Sequence, residues 1–512
     1  MSSAAQKASI ADPSTADQIA ALQAQLSSQQ ATIEAREARI RQLEEIIRTF
    51  QRKSFAGTSE QAAAAQLGLF NEAEEIAADD APEVAVKPHS RRRRGRPALP
   101  ADLPREEIIH DLSEADKVCP HDGTALEQIG EETAEQLDII PAQVKVLRHI
   151  RLKYACPCCQ RHVATAARPA QPLGKSNAAP GLLAYVATSK YADALPLYRQ
   201  AKMFARLGIE LDRTTLANWM VRCGERVQPL INRFTELILD HDLVEMDEST
   251  VQVLEEPGRP AQSTSYMWVM GAGPPKERVL VYHYAESRAA HVPTDLLDGF
   301  SGTLMVDGYA GYGAVCETHG ITRLGCWAHA RRKFFDAAKL QPKGKTGRPD
   351  QALALIGKLY QVERRAREMD PDARHALRQE HARPVVDKLG AWVEKTLPQV
   401  PPKTALGAAL HYLKQQWPRL IRYLDDGRYP IDNNAIENAI RPFAVGRKNW
   451  MFSRTQAGAR ASANLYSLIE TAKGHGLEPY AYLRHVFKEL PLAETIDDID
   501  ALLPGNFKGG VL

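Results

Sequence analysis

The chain has 512 residues, a length typical of several domains because one domain usually holds about 100 to 200 residues. Hydrophobic residues make up 44% and charged residues 25%, which favours a packed globular protein over a disordered or fibrous one. The formal net charge of +2 neither requires nor excludes a polyanionic partner. No apolar run approaches the ~18 residues of a membrane span, and the N-terminus lacks the apolar stretch of a signal peptide. We therefore expect a cytoplasmic protein without a membrane partner.

Residues 1–52 are predicted to hold a coiled coil. A heptad repeat from Ile19 to Phe50 places large apolar residues at eight of its ten a and d positions, and elsewhere in that span only at Ile46. So narrow an apolar stripe is typical of a coiled-coil seam, and mostly Ile at a with Leu at d favours a parallel dimer. We expect self-association through this segment; the alternative is a helix that folds back on its own chain.

Residues 53–104 form a predicted linker in which the charge changes sign. Seven acidic residues and no Lys or Arg lie between Glu60 and Val86, and a compact run of arginines follows. Arginines this dense can displace condensed counterions from phosphates. The candidate DNA-binding residues of this run are Arg91, Arg92, Arg93, Arg94 and Arg96. The alternative is a solvated linker whose arginines are neutralised by the acidic stretch.

Residues 105–170 are predicted to form a small zinc-ribbon-like module, with a strand from Val144 to Tyr154. Four of the seven cysteines fall here, which fits a reducing compartment and a metal site better than a disulfide framework. Two thiolates spaced as in Cys156-x-x-Cys159 can share one tetrahedral Zn²⁺, whereas the other half-site is imperfect. Its candidate ligands are Cys119, His121 and Asp122. The alternative is a ribbon that folds without metal.

Residues 171–240 are predicted to be helical, with a polar break from Gly208 to Asp212. A short Gly-containing turn followed by the Thr-rich start at Arg213 is typical of a DNA-binding helix-turn-helix. A helical bundle that packs on the next domain explains the pattern equally well.

Residues 241–330 are predicted to form the first part of an α/β core. Three β-rich runs, a helical segment and a fourth β-rich run give the order β-β-β-α-β. The runs are Leu243–Asp247, Tyr266–Met270, Val279–Tyr284 and Gly302–Val306, and the helical segment is Ser287–Leu297. In this order Asp247 and Asp307 each lie at or next to a strand end.

A third acid, Glu437, lies on a predicted helix whose N-cap is Asp432 or Asn433. The segment that separates it from the second acid is far longer than a simple core requires, and its composition predicts a helical insertion at residues 331–429. The core then resumes at 430–475, and a C-terminal tail occupies 476–512. Three carboxylates from two strands and a helix can hold a pair of hard divalent cations, which activate a water or sugar hydroxyl and stabilise a leaving 3′-oxygen. Taken singly, an Asp at a strand end is more often a turn residue.

These motifs resemble the insertion-sequence-66 family of bacterial transposases. The matching stretches are Val244–Thr250, Leu304–Tyr309, Gly325–Phe334, Asn434–Pro442, Gly446–Trp450 and Ser467–Lys473. The resemblance covers nearly the whole chain. It implies an RNase H-like catalytic core with a helical insertion, preceded by the coiled coil, the zinc-ribbon-like module and the helical segment.

The activity that the resemblance implies is that of a DDE transposase. Asp247, Asp307 and Glu437 would be the three metal-binding acids, and the cofactor would be two Mg²⁺ ions, with Mn²⁺ as a substitute. The implied partners are DNA, as element ends and target, and small accessory proteins of the same element, with the protein acting at the bacterial nucleoid. The alternatives are a non-catalytic DNA-binding relic or repressor, and an RNase H-like nuclease that cuts without joining.

The sequence departs from the family pattern at one position of the zinc module and carries one further signature after the second acid. The family has Cys-x-x-Cys in the first half of the zinc module, and Asp122 stands here in place of the second Cys. Cys326-x-x-His329 resembles a signature found at this place in insertion-bearing relatives, and packing at a helix start explains it as well as a role near DNA.

Cations flank the second and third acids and are candidate contacts to the DNA backbone, where they would give affinity rather than sequence readout. They are Arg331, Arg332, Lys333, Arg441, Arg447 and Lys448. The alternative is a solvated charged face.

Overall fold

The computed structural model describes residues 22–33, 36, 40, 143–155, 163–167, 169–341 and 346–509. Residues 22–33 are helical, as the heptad pattern predicts, and the seam residues Leu22, Leu26 and Ile33 are 63%, 60% and 55% exposed. A coiled-coil partner would cover such a stripe, so self-association stays a prediction. The arginine run and the candidate zinc ligands lie outside the described residues: Arg91, Arg92, Arg93, Arg94, Arg96, Cys119, His121, Asp122, Cys156 and Cys159.

Two short antiparallel strands, β1 (Lys153–Ala155) and β2 (Val163–Thr165), lie in the predicted zinc-ribbon-like module at residues 105–170, called the Cys-bearing module below. The strand predicted to begin at Val144 begins later, because residues 143–152 form no strand. Apolar side chains in that stretch are exposed, Val146 by 93%. A β-branched composition alone does not make a strand where, within the described residues, no second strand offers a partner edge.

Between residues 180 and 239, four helices lead into the central sheet. They are α1 (Pro180–Tyr191), α2 (Leu197–Arg206), α3 (Arg213–Arg226) and α4 (Gln228–Leu239). Asp212 is the N-cap of α3 and accepts hydrogen bonds from the backbone N–H groups of Thr214 and Thr215 at 2.7 and 3.0 Å. Gly208, at φ 76°, makes the turn before it, so the predicted polar break separates two helices.

A mixed β-sheet forms the centre of the fold. Its strands are β3 (Leu243–Glu255), β4 (Thr264–Ala272), β5 (Val279–Ala285), β6 (Thr303–Val306) and β7 (Thr322–Gly325), with α5 (His291–Leu296) before β6 and α6 (Gly311–His319) after it. In space the order is β5-β4-β3-β6-β7. Neighbours among β3, β4 and β5 are antiparallel, whereas β6 runs parallel to β3 and β7 to β6. The β-β-β-α-β order predicted from sequence is confirmed.

The position predicted for Asp247 needs a correction, since it lies inside β3 and not at its end. β3 pairs with β6 only over its first residues, Leu243 to Glu245, but continues with β4 as far as Gln252. The long hairpin therefore extends the strand past the acid. The sequence gives no sign of this, because the polar residues that follow Asp247 break the apolar run that predicts a strand.

A helical insertion separates β7 from the third acid. Its helices are α7 (Trp327–Ala338), α8 (Arg348–Arg365), α9 (Pro371–Leu377), α10 (Arg383–Thr396) and α11 (Ala405–Leu420). They enclose an apolar core of their own, in which Trp327, Ile356, Leu389 and Leu413 are fully buried. The buried Arg378 links α8 to the segment that follows α11. It pairs with Glu363 at 2.6 Å and donates a hydrogen bond to the Tyr423 carbonyl at 2.7 Å.

The chain returns to the sheet through α12 (Asn434–Trp450), β8 (Ser453–Thr455) and α13 (Gln456–Gly474), and continues through α14 (Pro479–Glu489) and α15 (Ile496–Asp500). β8 pairs in parallel with the far end of β3. Among the described helices, none combines the length and apolar composition needed to cross a membrane.

The long helix α13 covers the edge strand β5. Ser467 Oγ accepts a hydrogen bond from the Tyr282 backbone N–H at 2.8 Å, and Thr471 Oγ1 accepts one from Leu280 N–H at 3.0 Å. Side chains of the helix thus satisfy donors that an edge strand would leave exposed.

The other side of α13 packs on α3. A Cβ on Gly224 of α3 would lie 2.5 Å from the Ala461 Cα of α13, so only glycine permits this approach. α3 buries Leu216 and Cys223, while Arg213 at its first turn is exposed. α3 thus packs one face on α13 and leaves its first turn exposed, so the helix-turn-helix and the bundle both stay predictions for residues 171–240.

Candidate active site

Two of the predicted acids, Asp247 and Asp307, are brought level by the parallel pairing of β3 with β6. Glu245 pairs with Met305, so two further steps along both strands reach the two aspartates. Asp307 follows the last residue of β6, and its Oδ1 accepts a hydrogen bond from the Tyr309 backbone N–H at 2.9 Å. This Asx turn fixes the direction of the Asp307 side chain.

A buried arginine on β7 holds the turn that carries Asp307. Arg323 is 3% exposed, and its Nη2 donates to the backbone oxygens of Asp307 and Tyr309 at 2.7 and 2.8 Å. Arg422, which follows α11, donates to the Arg323 carbonyl at 2.9 Å. Burial, together with the charge of a neighbouring arginine, lowers the pKa of Arg323. The place of Asp307 thus depends on a residue that no short motif marks in the sequence.

Glu437, the third acid, lies in the first turn of α12. Of the two N-cap candidates, Asn433 occupies the N-cap position, whereas Asp432 supplies the oxygen that accepts the Asn434 backbone N–H at 3.1 Å. The fully buried Asn433 instead donates from Nδ2 to the carbonyl of Met246 on β3 at 2.9 Å. This bond ties the start of α12 to the strand residue just before the first acid.

The acids repel one another in a poorly hydrated site. Burial, with the negative charges of Asp247 and Asp432, raises the pKa of Glu437 to about 9. Burial, with the charges of Glu248 and Asp307, raises the pKa of Asp247 well above its usual range. The Glu437 side chain is only 4% exposed, and neither of its carboxylate oxygens accepts a hydrogen bond. Buried, unpartnered oxygens among like charges are the kind of group that a bound cation stabilises.

A fourth acid, Glu248, directly follows Asp247 and is not among the sequence candidates. Its side chain is 3% exposed; Tyr312 donates to Oε2 at 2.7 Å and Arg288 Nε to Oε1 at 2.5 Å. Nη2 of the same arginine lies 4.0 Å from Asp307 Oδ2. Arg288 therefore offsets part of the negative charge at the site. The signal for Glu248 in the sequence was its place directly after Asp247.

The predicted cations that follow the second acid are unequally placed. Arg331 is 6% exposed and lies on the packed face of α7, which puts its guanidinium inside the protein and not on a phosphate-binding surface. Arg332 is half-buried and Lys333 is exposed. Lys333 is thus the member of this run that reaches solvent most fully.

The cations that follow Glu437 lie along α12. Arg447 is half-buried and donates from Nη1 to Thr250 Oγ1 at 2.7 Å, so it fastens α12 to β3. Arg441 is also half-buried, and Lys448 is exposed. Arg447 is accordingly bound within the protein, and Lys448 faces solvent.

Two residues of the Cys-x-x-His signature lie beside the third acid. Among the described residues, one group of Cys, His and acidic side chains has its ligand atoms all within 4.8 Å of one another: Cys326, His329 and Glu437. His329 Nδ1 is 3.3 Å from Glu437 Oε1 without forming a hydrogen bond. The sequence marked the signature but gave no sign that it meets Glu437.

Fold and site together define a mixed α/β protein in which acids from β3, the end of β6 and α12 converge. Over residues 175–461, which contain the sheet, the insertion and all three predicted acids, the chain matches the transposase IS66 family. The chain belongs to this family. Shorter matches are to the zinc-finger binding domain of transposase IS66 at 116–160, the IS66 C-terminal element at 467–504 and the transposase C of IS166 homeodomain at 42–108.

Similar proteins come from Sinorhizobium fredii (strain NBRC 101917 / NGR234). The uncharacterized protein y4jD is 36% identical over 427 residues, which are 80% of this chain and 81% of that protein. The uncharacterized protein y4qI is 33% identical over 450 residues, 84% of this chain and 80% of that protein. Their names describe no activity.

Proposed function

We propose that the protein is a DDE transposase, which cuts DNA at the ends of its element and joins the freed ends to target DNA, with Asp247, Asp307 and Glu437 as the catalytic acids. One observation carries the proposal. Acids from β3, the end of β6 and the first turn of α12 are so buried and so close that burial, and then their mutual charges, raise the pKa values of Asp247 and Glu437. Family membership adds the reaction class.

The sheet supports an RNase H-like core. Three antiparallel strands, followed through a helix by two parallel ones, stand in the order β5-β4-β3-β6-β7. In this order β3 lies next to β6, so Asp247 on β3 is level with Asp307 at the end of β6. The insertion enters between β7 and α12, where it lengthens the chain without separating the acids.

The donor set fits two Mg²⁺ ions, with Mn²⁺ as a substitute. Hard divalent cations prefer carboxylate oxygens, and the buried oxygens of Glu437 have no hydrogen-bond partner. Asp247, Asp307 and Glu437 would hold the ions, which when bound supply an activated oxygen nucleophile and charge neutralisation at the phosphate.

The chain's own residues position this chemistry. The Arg323 and Tyr309 contacts hold Asp307, and Asn433 holds the start of the helix that bears Glu437. In cleavage a water oxygen attacks phosphorus and the P–O3′ bond breaks, leaving a 3′-hydroxyl and a 5′-phosphate. In joining, that 3′-oxygen attacks a target phosphorus and a target P–O3′ bond breaks. One phosphodiester bond forms for each one broken, so joining needs no nucleotide cofactor.

DNA recognition is assigned to the remaining modules. The family match at 116–160 supports end binding by the Cys-bearing module, whether or not it holds Zn²⁺. The exposed seam at Leu22, Leu26 and Ile33 supports self-association, which would bring two element ends together.

The test is cleavage of a labelled duplex carrying the element end. Asp247→Asn, Asp307→Asn and Glu437→Gln should each lower Mg²⁺-dependent cleavage by roughly three orders of magnitude or more, because the acids act as a unit. Gel-shift affinity for the duplex should stay close to that of the parent. The control is Asp298→Asn, an exposed aspartate outside the site, which should cleave normally. Full cleavage by any triad variant removes that residue from the site.

A further inference from the structure

We infer that Cys326, His329 and Glu437 form a second cation site, which adjoins the magnesium site, shares Glu437 with it and suits a borderline ion such as Zn²⁺. Their sulfur, nitrogen and oxygen ligand atoms all lie within 4.8 Å of one another. These three side chains provide the ligand set without any residue of the magnesium site other than Glu437. Only its effect on catalysis rests on the proposed function, since Glu437 serves both sites.

Two helix starts converge to build the group. Cys326 is the N-cap of α7 and His329 lies in its first turn, so the spacing of three residues places both on one face of the helix. Glu437 lies in the first turn of α12. The Asn433 backbone N–H, at the beginning of α12, donates to Cys326 Sγ at 3.3 Å and fixes the two helix starts to each other.

The nitrogen and oxygen atoms of the group lack the partners that a purely structural role would provide. His329 Nδ1 and both Glu437 carboxylate oxygens are buried, and none of the three makes a hydrogen bond. Nδ1 and Oε1 are 3.3 Å apart, a separation that two ligands of one ion can adopt. A bound cation would satisfy all of these atoms at once, whereas leaving them unpaired costs free energy.

The sulfur decides which ion fits. Cys326 is 2% exposed, and its Sγ accepts the hydrogen bond from the Asn433 backbone N–H, which holds the sulfur beside His329 and Glu437. Thiolate and imidazole favour Zn²⁺ over Mg²⁺. Three protein ligands leave a fourth tetrahedral position for water.

Occupancy of this site would compete for Glu437. A carboxylate oxygen bound between Cys326 and His329 is drawn away from Asp247 and Asp307. We therefore expect Zn²⁺ to inhibit Mg²⁺-dependent cleavage, and Cys326→Ser to relieve that inhibition.

The direct test is metal content, which needs no DNA. The full-length protein is loaded with Zn²⁺, freed of excess metal and analysed by mass spectrometry; Co²⁺ loading then reports thiolate coordination by absorption. Cys326→Ser and His329→Gln should each lose one metal equivalent relative to the parent, whatever the Cys-bearing module retains. Cys316→Ser, a half-buried cysteine outside the group, is the matched control and should keep the parent content.

Two further variants separate this inference from the proposed function. Glu437→Gln should lose the same equivalent, whereas Asp247→Asn should keep it and still fail to cleave DNA. His329→Gln covers the case in which the buried Cys326→Ser does not fold, as judged by circular dichroism. Unchanged metal content and an unchanged Co²⁺ spectrum in folded Cys326→Ser or His329→Gln overturn the site, even if the triad proves catalytic.

Discussion

Asn433 donates a hydrogen bond from Nδ2 to the backbone oxygen of Met246 at 2.9 Å, and so joins the helix that carries Glu437 to the strand that carries Asp247. Asn433 is fully buried, so no water can replace it. This side-chain amide therefore helps to set the relative position of the first and third acids, at the end of α12 nearest to them.

Asn433→Ala should lower the free energy of unfolding by about 1–3 kcal/mol, since it leaves a buried carbonyl unpaired. It should also reduce Mg²⁺-dependent cleavage at least tenfold through displacement of Glu437. Thermal unfolding and single-turnover cleavage measure the two effects. Asn449→Ala is the control, because the exposed Asn449 donates a comparable bond to the Ala194 carbonyl at 3.0 Å. Equal behaviour of the two variants would contradict the role of Asn433.

Arg323→Lys should impair cleavage although it keeps the charge. Nη2 of Arg323 makes both bonds, to the Asp307 and Tyr309 carbonyls, and the lysine ammonium, on a side chain one bond shorter, would not reach the same position. We expect about a tenfold or larger fall in the cleavage rate, with the affinity for the DNA end unchanged. A loss of DNA affinity with a normal rate of the chemical step would instead make Arg323 a DNA contact.

Glu248→Gln should move the acidic limb of the cleavage rate to lower pH. The charge of Glu248 raises the pKa of Asp247, so its removal lets Asp247 ionise in more acidic solution. The measurement is the pH profile of cleavage at saturating Mg²⁺. Glu255→Gln, on the same strand but 55% exposed, should leave the profile in place. If the acidic limb of the cleavage profile moved to higher pH in Glu248→Gln, the electrostatic account would be contradicted.

Glu470 predicts a pH dependence of stability away from the acids. Burial, which outweighs the charge of Lys473, raises the pKa of Glu470, so the folded state binds this proton more tightly than the unfolded state. The stability that this proton contributes is fully present below the pKa of Glu470 in the unfolded chain, near 4.5. That stability is lost as the pH rises through the pKa of Glu470 in the folded protein. The melting temperature of Glu470→Gln, relative to that of the parent, should therefore increase as the pH rises from about 4 to 8. Glu394→Gln, at an exposed pair with Lys414, should show a flat difference; a flat difference for Glu470→Gln would refute the assignment.

The sequence predicts the order of strands and helices along the chain, the helical insertion and the break before α3, because each depends on local periodicity or on a turn residue such as Gly208. It could not predict that β3 continues past Asp247, since that extension comes from pairing with β4. It also missed Glu248 and Arg323, whose roles arise from contacts with Tyr312 and with the Asp307 carbonyl. The meeting of Cys326 and His329 with Glu437 is likewise a product of the insertion, which returns α12 to the start of α7.

Joining of a pre-cleaved element end to a plasmid tests the central claim most directly, because it isolates the transposase reaction from hydrolysis. The full-length protein with Mg²⁺ should insert the 3′-hydroxyl end into the plasmid. Asp247→Asn, Asp307→Asn and Glu437→Gln should each abolish insertion while binding the end normally, and Asp298→Asn should insert as the parent does. Hydrolysis of the end without insertion by the parent, or insertion by any folded triad variant, would contradict the account.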